Sequence, residues 1–294
     1  TVGASEAVDL AMRALLAPGD AILIPDPSYV AYAGCAAMSG AEVHYVPLRA
    51  EHDFRLQVED LQMAYTPNCK VLVLSFPNNP TGAIMTREDL LPIARFASEK
   101  DLLIISDEIY SDLTYQGNHT PFANLPLMRN RTIHVSGFSK AYAMTGWRIG
   151  YACGHPDIIE AMTRIHQYTI MCAPIMAQVA ALEGLKSGDS PKKEMIMEYD
   201  RRRRLMVHGF REMGLSCFEP LGAFYVFPDI TVTGLRSEEF AEQLLHEEKV
   251  AVVPGTAFGP GGEGHVRCSY AYSTEQISEA LFRIKRFVQK RIKI

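Results

Sequence analysis

At 294 residues the chain is longer than one small core requires, and at about 100–200 residues per domain it fits one large unit plus a smaller one. A hydrophobic fraction of 48% with 21% charged residues suits a soluble globular enzyme, and no apolar run approaches the roughly 18–20 residues of a membrane span. Lys plus Arg number 29 against 34 Asp plus Glu, a net charge of -5 that offers no broad positive field for nucleic acid, so small molecules are the expected partners.

Residues 4–17 repeat apolar positions at helical spacing, Pro18-Gly19-Asp20 breaks the pattern, and 21–24 reads as a short buried strand. The unit recurs as a helix over 29–38, a strand over 42–46, a short helix over 58–65 and an apolar strand over 71–74. Thr86 with Asp89 resembles a capping box and opens a helix over 87–100. Strands follow at 102–106, 133–135 and 149–152, then helices over 156–168 and 174–186. Such alternation implies an α/β fold, a mainly parallel sheet sandwiched by helices. A charged helix over 192–213 leads into a smaller α+β unit, with strands at 224–227, 250–253 and 265–269 and helices at 238–247 and 274–290. The expected boundary therefore divides a large domain, 1–190, from a small C-terminal domain, 191–294.

The six cysteines form no C-x-x-C pair and no two of the nine histidines stand at H-x-x-x-H spacing, so neither a metal site nor a disulfide scaffold is expected. Reduced thiols in a cytoplasmic protein are the plainer reading. Arg201 to Arg204 reads as a solvated helix face, Gly259 to Gly264 as a turn rather than a phosphate loop, and the 13 methionines as core filler.

Ligands of parallel α/β sheets gather at the carboxyl ends of strands. Four polar stretches follow apolar strands here: Asn78-Asn79-Pro80-Thr81-Gly82, Asp107-Glu108-Ile109-Tyr110, Ser136-Gly137-Phe138-Ser139-Lys140 and His265-Val266-Arg267-Cys268-Ser269. Taken singly, several candidates have plainer meanings. Asn79-Pro80 is a turn, Gly3-Ala4-Ser5 an N-cap, Tyr29 a core residue of an amphipathic helix, Arg148 and Lys140 surface charges.

Taken together and in this order, the four motifs resemble those of fold-type I aminotransferases of class I/II, and the run from Ser139 to Arg148 (Ser-Lys-Ala-Tyr-Ala-Met-Thr-Gly-Trp-Arg) is the most specific part. The resemblance spans the chain from Thr1 to the last helix. It implies pyridoxal 5'-phosphate as cofactor, bound as a Schiff base to Lys140, whose amine then shuttles a proton. It implies that Asp107 pairs with the ring nitrogen, that Asn79 and Tyr110 hydrogen-bond the phenolic oxygen, and that Tyr29 stacks on the ring. Ala4 and Ser5 at the first helix N-terminus, Ser139 and Arg148 would hold the phosphate, and Arg267 the substrate α-carboxylate, with Asn79 beside it. Many relatives carry a serine three positions before the lysine; Gly137 stands there in this chain.

The expected reaction is transfer of an amino group between an L-amino acid and a 2-oxo acid, by a homodimer. A carbon–sulfur β-lyase or synthase on the same scaffold, or an aminotransferase-like regulatory domain, shares these motifs. Members of the family carry further residues ahead of the first helix, so the resemblance implies a missing N-terminal segment, and weaker cofactor binding and slow turnover for a chain without it.

Overall fold

Period-two burial builds the main sheet: Ile22 and Ile24 face one side and Leu23 the other, and the next strand repeats the pattern with Val71 and Val73 opposite Leu72 and Leu74. The computed structural model describes residues 1–292. Six strands stand in the order β2-β1-β3-β4-β5-β6: β1 Ala21–Asp26, β2 Glu42–Pro47, β3 Cys69–Leu74, β4 Leu103–Asp107, β5 Thr132–Gly137 and β6 Gly150–Cys153. β1 to β5 are mutually parallel and β6 closes the edge antiparallel to β5, so the expected parallel sheet holds with one reversed strand.

Helices α1 (Ala4–Leu15), α2 (Ala31–Met38), α3 (Val58–Ala64) and α4 (Arg87–Glu99) alternate with these strands, and α5 (Pro156–Thr169) and α6 (Ile175–Ser187) follow β6. Leu10, Ala11 and Met12 of α1 and Met162 of α5 cover one sheet face; Leu90, Ile93 and Phe96 of α4 cover the other. The Thr86–Asp89 capping box forms, with Asp89 N–H donating to Thr86 Oγ1 at 3.2 Å and Thr86 N–H to Asp89 Oδ2 at 2.8 Å. α1 stops at Leu15, two residues short of the expected end, because Ala17 precedes Pro18 and Leu16 is already extended. α2 starts only at Ala31, which leaves Tyr29 in the turn after β1 instead of on a helix.

α7 (Asp189–Glu212) leads to a second sheet of order β7-β9-β8, formed by β7 Tyr225–Val226, β8 Val253–Pro254 and β9 Val266–Ser269. α8 (Ser237–Glu248) and α9 (Thr274–Gln289) pack on it around Phe210, Phe240, Tyr270 and Phe287. Two strands are shorter than their sequence suggests: Ala223 at φ 57 turns the chain just before β7, and Lys249 at φ 57 ends α8 so that pairing begins only at Val253.

The basic run on α7 is not uniformly solvated. Arg201 and Arg204 are exposed, but Arg203 is 1% exposed, bonded to Asp200 and Glu219 and stacked over Tyr115. The run lies on more than one face of the helix, and one of them packs inward. The methionines divide as well. Met12, Met128 and Met206 are buried as core filler, whereas Met63, Met171 and Met176 are exposed. Residues 260–262 form a 3-10 turn ahead of β9, where a turn was expected. No helix among the described residues is long and apolar enough to cross a membrane, and no metal-binding cluster is found among them. All six cysteines are free.

Candidate active site

The carboxyl ends of β3, β4 and β5 and the N-terminus of α1 open into one cavity of about 320 Å³, within the usual range for small-ligand sites. Asp107 is the last residue of β4, Asn79 follows β3, and Ser139 and Lys140 follow β5. Each side chain is delivered by an apolar strand whose own side chains are locked in the core. The expected residues Ala4, Ser5, Tyr29, Asn79, Asp107, Tyr110, Ser139, Lys140, Arg148 and Arg267 all line this cavity.

Asp107 is 5% exposed. Its Oδ2 accepts a 2.7 Å hydrogen bond from the Tyr32 hydroxyl and its Oδ1 accepts from Ile109 N–H at 3.2 Å. Tyr32 in turn lies 2.9 Å from the Ser75 hydroxyl, from which it accepts while donating to the acid. Burial raises the Asp107 carboxyl above the usual carboxylate range, against the pull of those two bonds. Both partners are neutral, so a cationic donor placed here would gain strongly from the acid.

Lys140 stands among cations and aromatic faces. Its Nζ is 5.4 Å from the Phe224 ring centroid and 5.7 Å from that of Tyr110. Burial lowers its affinity for a proton, Arg267 and Arg148 lower it further, and Asp107 opposes them. Such surroundings favour the neutral, nucleophilic amine. Tyr110 is buried, with its hydroxyl 2.9 Å from that of Tyr225, and burial raises both phenols, which therefore stay protonated.

Arg267 reaches in from β9. Its Nη1 donates to Asn79 Oδ1 at 2.8 Å, and its guanidinium lies 4.3 Å from the Tyr225 ring and 4.7 Å from that of Phe258. A guanidinium clamped between rings keeps its planar fork oriented for a carboxylate.

Arg148 approaches from the opposite end. Its backbone is left-handed (φ 53) and Nη1 donates to Thr145 O at 3.0 Å. Gly3, the N-cap of α1, has φ 80 and ψ 166, and a Cβ there would lie 2.5 Å from Arg148 Nη2. The glycine lets the guanidinium sit against unpaired helix N–H groups, so a cation and a helix dipole converge where an anion would rest.

This donor set fits pyridoxal phosphate. It pairs a phosphate cradle that a side chain at position 3 would fill with a buried acid lacking a charged partner and an amine of weakened proton affinity. The departure at Gly137 has a steric cause: a Cβ there would lie 2.8 Å from Ile149 O and 2.9 Å from Gly150 Cα across the β5–β6 pairing. A serine here would have to push the Ile149–Gly150 backbone aside.

Sequence reasoning passed over Tyr32, Ser75 and Tyr225, which also line the cavity. Ser75 carried a usable signal, since it is the first polar residue after β3. Tyr32 carried none, because a tyrosine three residues past Tyr29 reads equally well as core.

Residues 1–284 match the family described as aminotransferase class I and II. The protein YugH of Bacillus subtilis (strain 168), named as an inferred aminotransferase, is 50% identical over 290 residues, 99% of this chain and 75% of the relative. An aspartate aminotransferase of Pyrococcus abyssi (strain GE5 / Orsay) is 44% identical over 293 residues, again 99% of this chain and 75% of the relative. Among solved structures, the aromatic aminotransferase from Pyrococcus horikoshii OT3 matches with a TM-score of 0.97 and 43% identity, over 99% of this chain and 78% of that one.

Proposed function

The chain belongs to the class I and II aminotransferases, a family that implies pyridoxal phosphate, and from that premise we propose that it exchanges an amino group between an L-amino acid and a 2-oxo acid with Lys140 as the attachment point. One observation carries the reading: the Lys140 amine, the Asp107 carboxylate and the Arg148 and Arg267 guanidiniums line one cavity.

The cofactor, when bound, supplies an electron sink for the pair left when the substrate Cα loses its proton. The chain supplies the rest. Asp107 would pair with the ring nitrogen and keep a proton there, and its desolvated charge would make that hold strong. Tyr110 and Asn79 would hydrogen-bond the cofactor's phenolic oxygen, and Tyr29, in the turn after β1, would pack on its ring. Ala4, Ser5, Ser139 and Arg148 would hold the phosphate. Arg267 would grip the α-carboxylate and so orient the substrate's Cα–H bond for proton loss; orientation of this kind is worth roughly 7–11 kcal/mol in the best intramolecular cases. Lys140 Nζ would take up the proton that the substrate Cα loses, and its weakened basicity would let it hand that proton back.

The division into a cofactor-binding unit, 1–190, and a smaller unit, 191–294, belongs to this proposal, as does a homodimer. Ile175, Met176, Val179, Leu182 and Leu185 leave α6 with an apolar face, each residue 52% to 71% exposed. A face of this kind marks an interface. It continues into a second cavity lined by Trp147, Arg148 and Met176, so a second copy seated there would wall the phosphate end of the site. Light scattering should give twice the chain mass.

Borohydride reduction with the cofactor present tests the central assignment. A pyridoxyl group should appear on the peptide carrying Lys140, and labelling of another lysine would remove the reading. Arg267→Lys should raise KM for the amino acid while leaving cofactor absorbance unchanged.

A further inference from the structure

Asp26 closes β1 outside the cavity just described. Its side chain is 5% exposed and faces residues 259–261, beyond β8. Oδ2 accepts from Gly261 N–H at 2.8 Å, while Oδ1 is buried with no hydrogen-bond partner. The loop is shaped around this carboxylate. Gly259 has φ 120, and a Cβ there would lie 2.0 Å from Oδ1; a Cβ on Gly261 would lie 3.0 Å from Oδ2. Two residues past Asp26, Ser28 N–H donates to Phe258 O at 2.9 Å.

A buried, half-satisfied carboxylate is destabilising, and an apolar or amide side chain would remove much of that penalty. What the acid does accomplish is to join two walls of the substrate site. Tyr29, three residues on, lines the cavity, and Phe258, on the clamped loop, supports the Arg267 guanidinium from 4.7 Å.

We infer that Asp26 is a positioning residue whose carboxylate clamps the 255–262 loop onto the end of β1 and thereby holds Phe258 and Arg267 in place for the substrate carboxylate. The inference rests on the reading of Arg267 given above. Burial pushes the Asp26 carboxyl up to about 6, against the pull of Gly261 N–H. Residues 255–262 contain no titratable side chain. The titratable residues that flank the two joined elements in sequence are engaged elsewhere: Glu263 with Ser237 and Arg49 with Asp60, while His265 stacks on Phe227. An ionised acceptor makes the stronger hydrogen bond, so the clamp is tight above that range and slack below it.

The test compares wild type, Asp26→Asn and Asp26→Ala, all with pyridoxal phosphate bound, at about pH 7.5 and about pH 5. Amide hydrogen exchange of residues 255–262, normalised to intrinsic rates, should quicken in wild type as pH falls. The Asn variant should show the low-pH wild-type level at both pH values, and the Ala variant should exchange fastest. KM for the amino donor should follow the same order, rising roughly three- to tenfold from the tight to the slack form, with kcat nearly constant. Equal exchange in wild type and Asn variant at both pH values overturns the clamp. A changed exchange without a changed KM, while Arg267→Lys does raise KM, overturns the link to Arg267. If neither substitution raises KM, the assignment of Arg267 fails and the clamp on the loop stands.

Discussion

The Tyr32 hydroxyl donates a 2.7 Å hydrogen bond to Asp107 Oδ2 across 75 residues of sequence, tying α2 to the end of β4 at the base of the site. The acceptor is a buried carboxylate, and a bond to a charged group is worth about 1.5–3 kcal/mol. Tyr32→Phe should therefore lower kcat by roughly 10- to 100-fold and hasten cofactor loss, with the fold intact by circular dichroism. Unchanged kinetics and cofactor retention would reduce Tyr32 to a packing residue.

Gly3→Ala should damage the phosphate end specifically. Position 3 lies in a region of backbone space open almost only to glycine, where another residue is strained by roughly 1–3 kcal/mol. The added methyl would also press on Arg148 Nη2. Titration with pyridoxal phosphate should show affinity lowered at least about tenfold, while unfolding without cofactor shifts by no more than the strain itself.

Glu108, next to Asp107 in sequence, is 2% exposed. It accepts from His119 Nε2 at 2.5 Å, Ser106 Oγ at 2.9 Å and Phe122 N–H at 3.2 Å, with His134 Nδ1 3.3 Å away. Burial alone would raise its carboxyl, but the two histidines bring it down from its ordinary 4.5 to about 2. A depressed folded value stabilises the protein above the unfolded value, and that stability is lost as pH falls from 4.5 toward 2, a total on the order of 3 kcal/mol. The His134 imidazole is raised by its bond to Glu108, against burial, so its share is complete below 6.5 and lost as pH rises through the folded value. Thermal midpoints of wild type should decline on both sides of that window, and Glu108→Gln should flatten the acid limb. An acid limb of equal slope in the variant would place the titration elsewhere.

Arg203 and Arg201 are two positions apart and should behave oppositely. Arg203→Ala leaves Asp200 and Glu219 without their shared cation. Glu219 can rehydrate because it is half-exposed, so the loss should fall near the lower end of the range for broken buried pairs, about 3 kcal/mol. Arg201→Ala, on the exposed face, should stay within about 0.5 kcal/mol. Denaturant unfolding of the two variants side by side checks this.

Much of the site was legible in the sequence because its chemistry follows strand ends. Asp107 ends an apolar strand and Asn79, Ser139 and Lys140 follow one a few residues on, and strand ends can be read from local periodicity. Arg267 is a different case. It lies 188 residues from Asn79, its hydrogen-bond partner, and its place in the motif, not any periodicity, is what singled it out. The strands expected at 224–227 and 250–253 exist as β7 and β8, but their bounds were not legible, because left-handed residues at Ala223 and Lys249 set where pairing starts and an alanine or lysine gives no sign of positive φ.

By itself the sequence determined the alternation of strands and helices, and with it a parallel sheet that gathers polar residues at one edge, because burial on a pleated strand or a helix repeats at fixed short periods. The tertiary structure alone decided which polar groups meet. Tyr32 reaches Asp107, Gly261 reaches Asp26 from 235 residues away, Arg203 turns inward among exposed neighbours, and the Ile149–Gly150 backbone crowds Gly137. These pairings depend on how separate elements pack, and packing distances are not encoded in the spacing of residues along the chain.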